Sequence, residues 1–345
     1  MNYTGLPYLR GIDRTLRVSA IGALLLALIW MMGDILLIIF AAVLIACVLH
    51  GAGDRVHRWT GISSGWSLFA VIAAMLLAAC FVVWWRGPNL ADQADQLTDQ
   101  LTTQLPSLWE RLEQHAWEPR IVDYLRRTAQ STIRFLTGQL PGLAGSLLGI
   151  GGTVIVVAAT GVFLAASPGT YVNGGLRLLP RQSRRRGREV IDELGKTLQL
   201  WFVGQLLDMT VVTLLSGAGL LILGVPLAPT LALFAGLLNF VPYVGALAGA
   251  VPALVVAFAQ WPALALSVAV LFACVQMLEG NLIAPLIQKR TVSLPPALTI
   301  LSQTILGTVF GPLGLILATP LMAALLVAVR MIYVESFVEG EESDI

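Results

Sequence analysis

Charge is scarce in this chain: only 12% of its 345 residues are Asp, Glu, Lys or Arg, against about a quarter in soluble proteins. With 57% hydrophobic residues and a mean hydropathy of +0.81, this composition excludes a soluble fold, because lipid and not a protein core must accept so much apolar surface. Cysteine is scarce too. Cys47, Cys80 and Cys274 each lie in an apolar run without pairing or ligand spacing, which excludes a disulfide framework and a zinc site and leaves small buried hydrophobes. His50, His57 and His115 are too far apart for a metal motif. No P-loop, nucleophile elbow or glycine-rich dinucleotide loop is present, so the sequence predicts no enzyme, no cofactor and no metal, and any transport must run on gradients. A typical cleavable signal is also missing: Arg10, Arg14 and Arg17 precede a long apolar stretch without a small-x-small site, so the first segment is expected to be retained.

What is present is a series of apolar runs, predicting an all-α, polytopic membrane protein of about six to eight transmembrane helices. After a cytoplasmic N-terminus (1–17), Val18 to Met32 and Ile35 to Leu49 read as a tight hairpin broken at Gly33-Asp34, and Trp66 to Trp85 as a third span, giving helices 1–3 over 18–85. Residues 86–145 read as a helical extracytoplasmic insert. There Leu90, Leu97, Leu101, Leu105, Leu108 and Leu112 recur at helical spacing, a face for packing on a neighbour, on the membrane surface or on another subunit. The fourth span, Ser146 to Ala166 in a segment 146–167, leads to a loop (168–197) with Arg177, Arg181, Arg184, Arg185, Arg186, Arg188 and Lys196 against three acidic residues. That excess marks the loop cytoplasmic and explains the charge without nucleic acid, although anionic lipid or nucleic acid would also fit it. Both termini then face the cytoplasm, and residues 335–345 form an acidic tail.

Irregularity concentrates in 198–334, the expected transport core. The run GLLNFVPYVGALAGAVPA (236–253) carries Asn239, Pro242, Tyr243, Gly245 and Pro252 at membrane depth, where broken backbone is tolerated only against protein or a watery cavity. Its arms, Leu227 to Val241 and Val244 to Ala259, are ~15 residues each, or about 22 Å of helix, short of the ~30 Å hydrocarbon core. They predict a re-entrant hairpin. Leu294 to Val309 and Leu313 to Val334 repeat the device around Gly311-Pro312, entering from the cytoplasmic side, with Ala263 to Leu278 as a sixth span between them. Span plus hairpin thus occurs twice in opposite orientation, an inverted repeat of the kind found in secondary transporters, although reading every segment as a full span places the termini equally well.

Asp208 stands about ten residues into the fifth span, where a carboxylate costs ~2.5 kcal/mol or more. With Gln205 on the same helical face it reads either as a cation or proton site or as a carboxylate tied to a structural donor. Asn239, Tyr243 and the carbonyls freed by Pro242 form the first hairpin tip, a place to bind a small polar solute or a kink satisfied internally. Gln276 and Glu279, with Asn281 beyond, are expected near the inner end of the sixth span, Glu279 close enough to the interface to be solvated. Gln303 and Thr304 are the expected counterparts of Asn239 in the second hairpin.

At these residues the chain resembles the autoinducer-2 exporter family, the AI-2E permease-like membrane proteins of bacteria. The resemblance rests on GQLLD (204–208), LILGVP (221–226), AGLLNFVPYVG (235–245), VQMLEGNLIAPLIQKRTVSLPPAL (275–298) and FGPLGLILATPL (310–321), which cover the C-terminal half in order; the N-terminal half matches in layout alone. It implies a multi-pass protein of the bacterial inner membrane, in contact with the lipid bilayer, that exports a small polar signal. It also implies a homo-oligomer, with a pentameric ring among the options. Other members imply a Na+(Li+)/H+ antiporter, so family membership constrains architecture more than cargo. A non-transporting scaffold that uses the 86–145 insert is the reading from another class.

Overall fold

The computed structural model describes residues 32–78, 150–288 and 294–338, with isolated positions at 80, 81, 84 and 96. Every regular element among these is helical. The first is α1 (Gly33–Thr60), followed by α2 (Ser64–Ala78), α3 (Ile150–Ala166), α4 (Pro168–Arg177), a 3₁₀ turn and α5 (Arg184–Ile222). Next come α6 (Ala228–Leu238), α7 (Val244–Gln260), α8 (Pro262–Leu278), a π-helical segment (Glu279–Ile283), α9 (Ala284–Gln288), α10 (Pro296–Val329) and a final π segment (Arg330–Val338). Proline stands in the first turn of α4, α6, α8 and α10, where its missing N–H has no intrahelical partner to lose. Four helices among the described residues are long and apolar enough to cross a membrane, or five if α3 and α4, bent by 85° at Ser167, are counted as one span. The chain is a polytopic helical membrane protein.

Several boundaries differ from the sequence reading. Helix α1 starts at the expected Gly33-Asp34 break but runs on past Leu49 to Thr60, because Gly51 and Gly53 face α5 and α2 and keep that stretch packed. The arm Val18 to Met32, the 86–145 insert and the tail after 338 lie essentially outside the described residues. The supposed basic loop is mostly helix: α4, the 3₁₀ turn and the first turns of α5, with Arg184 donating to the carbonyls of Arg177 and Leu179 (3.2 Å each) at the end of α4. Helix α8 does not stop at Glu279-Gly280-Asn281. The π segment absorbs those residues and the chain continues to Gln288, so the apolar helix runs over Pro262–Leu286.

Helix α5 is the ruler for the core, at 39 residues about 58 Å long. Helices α6 and α7 fold back after its Ile222 end as one hairpin of 11 and 17 residues, each arm shorter than the ~30 Å hydrocarbon core. Leu220, Leu231, Val256 and Val268 seal that half. Helix α10 enters from the other end. The Arg186 guanidinium donates to the Met331 carbonyl (2.7 Å), and Leu317 packs with Leu198 and Trp201 farther along α5.

Within α10 the backbone breaks at Gly311 (φ 62°, ψ −147°), a region open essentially to glycine alone. Gln303 Nε2 donates to Thr319 Oγ1 at 3.3 Å, although 16 residues of unbroken helix would hold them ~24 Å apart. α10 is therefore a second hairpin with its tip at Gly311. Each hairpin packs its arms backbone to backbone: a Cβ on Gly249 would sit 2.7 Å from the Ala235 Cα, and one on Gly245 or Gly314 would strike the carbonyl of Leu238 or Leu306. Phe240 from the first tip and Phe310 and Leu313 from the second pack on the same core of Leu37, Trp201 and Leu317, so the two hairpins come in from opposite ends and meet part-way along α5.

Candidate functional site

Asn239 ends α6 as its C-cap and is completely buried. Its side-chain amide donates to Asp208 Oδ2 of α5 at 2.7 Å and to Glu279 Oε1 of the π segment at 3.2 Å. Gln276 Nε2, one turn before Glu279, donates to Glu279 Oε2 at 2.9 Å. Gln205 Nε2 reaches across from α5 to the Asn239 backbone carbonyl at 2.8 Å. One asparagine thus ties three segments together: Gln205 holds its main chain, while Asp208 and Glu279 hold its side chain.

Two acceptors in this cluster, Asp208 Oδ1 and Asn239 Oδ1, are buried with no donor. Two carboxylates sit beside the C-terminus of α6, whose dipole contributes roughly half a negative charge. Among the described residues no Lys, Arg or His bonds to either carboxylate, so the site attracts cations. Its donors and acceptors are side chains of α5, α8 with its π segment and the first hairpin tip, and what it can hold is a proton, a monovalent cation or the hydroxyls of a small solute.

The tip itself is strained. Tyr243 has φ 64° and ψ −58°, and the Val244 N–H donates to the Pro242 carbonyl at 2.8 Å, which is the rare positive-φ γ-turn. A β-carbon in that conformation costs ~1–3 kcal/mol and persists only when the surroundings hold it. Here Phe240 lies edge-on to Trp201 (centroids 5.8 Å apart) and to Phe202 (6.3 Å).

The structure brings Gln205, Asp208, Asn239, Gln276 and Glu279 together. It corrects the expected position of Glu279, which is part-buried and level with Asp208 because the π segment carries the helix past it instead of ending there. The tip carbonyls are already occupied: Val241 N–H takes the Leu238 carbonyl (3.1 Å) freed by Pro242, and Gln205 takes that of Asn239. Tyr243 is exposed and lends backbone geometry to the tip, with Pro242 supplying the γ-turn acceptor. Asn281 and Thr304 stay outside the cluster, exposed and bonded to the Met277 and Ile300 carbonyls of their own helices (2.8 Å each). Gln303 is buried, but its partner is Thr319 inside its own hairpin, so it does not mirror Asn239 in meeting a carboxylate. Sequence reasoning missed the Gln303 and Thr319 pair, whose signal was equal spacing on either side of Gly311, and the orphaned buried hydroxyl of Ser216, which gave none.

Three curated relatives align with parts of the chain. "Putative transport protein YueF" of Bacillus subtilis is 37% identical over 148 residues, covering 43% of this chain and 40% of the relative. YrrI of the same organism, under the same description, is 32% identical over 148 residues (43% and 42%), and YhhT of Escherichia coli 35% over 104 residues (30% of each). The matched stretch spans about two-fifths of the length of the first two relatives. The family model described as AI-2E family transporter matches residues 20–333, nearly the whole chain, and the protein belongs to that family.

Proposed function

We propose that this protein moves a small polar solute across a bacterial inner membrane, driven by or down a gradient, through the place where the two hairpin tips meet. The observation that carries this reading is the pair of carboxylates, Asp208 and Glu279, held on the single buried amide of Asn239. Each carboxylate at membrane depth costs ~2.5–3.5 kcal/mol, and a plain anchor has no use for one, still less for two. Two hairpins entering from opposite ends supply what alternating access requires, a site at mid-depth with a movable wall on each side. Family membership makes a signal of the autoinducer-2 type, carried outward, the first cargo to test, with the Arg184 end of α5 and both termini inside and the protein working as a homo-oligomer.

Na+(Li+)/H+ antiport is the second reading. The same carboxylate pair beside the negative end of α6 favours it, since such a site takes a cation and a proton in turn.

The test is flux of labelled autoinducer-2 in proteoliposomes, with and without an imposed proton gradient, beside Asp208→Asn and Asn239→Ala. Loss of at least about tenfold in both, with normal insertion, is expected, the equivalent of ~1.4 kcal/mol. Unchanged flux in both variants sinks the site assignment. Flux of sodium against protons, read by a pH dye inside the vesicles, selects the second reading.

A further inference from the structure

We propose that Asp208 and Asn239 form a proton-operated latch: a proton on Asp208 Oδ1, donated to Asn239 Oδ1, holds the first hairpin tip against α5, and loss of that proton frees it. The latch rests on the transport reading above and names its coupling group and its moving part.

Donors and acceptors decide it. Asn239 spends both amide hydrogens, one on Asp208 Oδ2 and one on Glu279 Oε1. Glu279 receives a second donor from Gln276 and is satisfied as a carboxylate. Asp208 receives one donor, and what remains is Asp208 Oδ1 and Asn239 Oδ1, two buried acceptors on two groups already joined by the 2.7 Å bond. A single hydrogen satisfies both by completing an acid–amide pair, with N–H···O on one side and O–H···O on the other. Two orphan oxygens suit a proton better than a metal ion, which needs a larger oxygen set; among the described residues no group of three or more His, Cys, Asp or Glu is placed to hold one.

Without the proton, two ionised carboxylates share one amide, and Asp208 Oδ1 and Asn239 Oδ1 both stay buried without a donor. Buried charge of that kind demands water, and water reaches Asp208 when the tip lifts. The tip is prepared to lift: Tyr243 sits in its strained γ-turn, three residues past the Phe240 ring that packs on Trp201 and Phe202 of α5. Among the described residues, Cys47 of α1 packs into the Trp201 and Leu317 core beside Phe240, and the other ionisable groups on the packed elements are remote or outward-facing. Asp34 at the start of α1 and Tyr243 are exposed, and Lys196 lies 12 residues, or ~18 Å, down α5.

With the three native cysteines changed to alanine, maleimide labelling of Ala246→Cys, buried just past the tip (9%), is measured against Leu178→Cys, an exposed reference (89%) that corrects for thiol ionisation. Opening from a minor state of ~10% predicts a relative labelling rate rising about tenfold from mildly acidic to mildly alkaline buffer. Asp208→Asn, which keeps the shape and donates to Asn239 permanently, should be slow at every pH, and Asn239→Ala fast at every pH. Labelling that ignores pH in the parent, or that follows pH equally in Asn239→Ala, overturns the latch. Flux on the same preparations separates the two ideas: proton-driven flux with pH-flat labelling removes the latch alone, and pH-dependent labelling without flux removes the transport reading alone.

Discussion

A pair of cysteines at 307 and 315 would measure the fold-back at Gly311 directly. A Cβ at Gly307 lies 3.6 Å from the Leu315 Cβ, inside the ~3.5–4.5 Å window of a disulfide. On an unbroken helix the same eight residues would separate the two positions by ~12 Å, beyond any bridge. In a background free of Cys47, Cys80 and Cys274, Gly307→Cys with Leu315→Cys should oxidise in native membranes and leave no thiol for a maleimide-polyethylene glycol tag after unfolding. Leu206→Cys with Leu214→Cys, eight residues apart on the continuous α5, should leave two. Adding Gly311→Ala tests the cause: nothing lies within 4 Å of a Cβ there, so crowding predicts no effect, whereas the backbone region predicts a penalty of ~1–3 kcal/mol. That corresponds to bridge formation slowed about 5- to 150-fold. Two reactive thiols in the 307/315 pair would refute the hairpin, and an unaltered rate in Gly311→Ala would refute the glycine argument.

Two further outcomes follow from single contacts. Gln205→Leu leaves the buried Asn239 carbonyl without its donor and should destabilise the protein by ~1–3 kcal/mol, seen as a lower thermal midpoint in detergent; a midpoint equal to the parent's would show that the 2.8 Å bond contributes nothing. Gly249→Val drives a side chain into Ala235 and should abolish monodisperse protein, while Gly280→Ala, with open space around it, should purify normally; equal behaviour of the two would count against close packing in the first hairpin.

Both hairpins were legible because proline and glycine in an apolar run have few other uses: Pro242 with Gly245 and Gly311 with Gly314 bracket the tips the structure displays. Asp208 was legible for the same reason, as a carboxylate where lipid forbids one. Glu279 was misplaced because Glu-Gly-Asn reads as a helix end, and nothing local distinguishes an end from a π segment that carries the chain on. Gln276 and Glu279 were legible as a pair because three residues put them on one helical face, whereas the partner of Gln205, a main-chain carbonyl 34 residues away, depends on tertiary packing. Gln303 and Thr304 looked alike as adjacent polar residues, yet neighbours on a helix point about 100° apart, so one turned inward to Thr319 and the other outward.

The depth at which the tips meet has an electrical consequence. Asp208 lies near the middle of the apolar stretch of α5, Thr197 to Ile222, so a proton travelling to it from either face crosses roughly half of the membrane voltage. A full crossing is worth ~2.3 kcal/mol per 100 mV, so the half crossing is worth ~1.2 kcal/mol, a bias of about sevenfold on occupancy of the site. If Asp208 takes the proton of the proposed latch, voltage alone, at constant pH on both sides, would load or empty it.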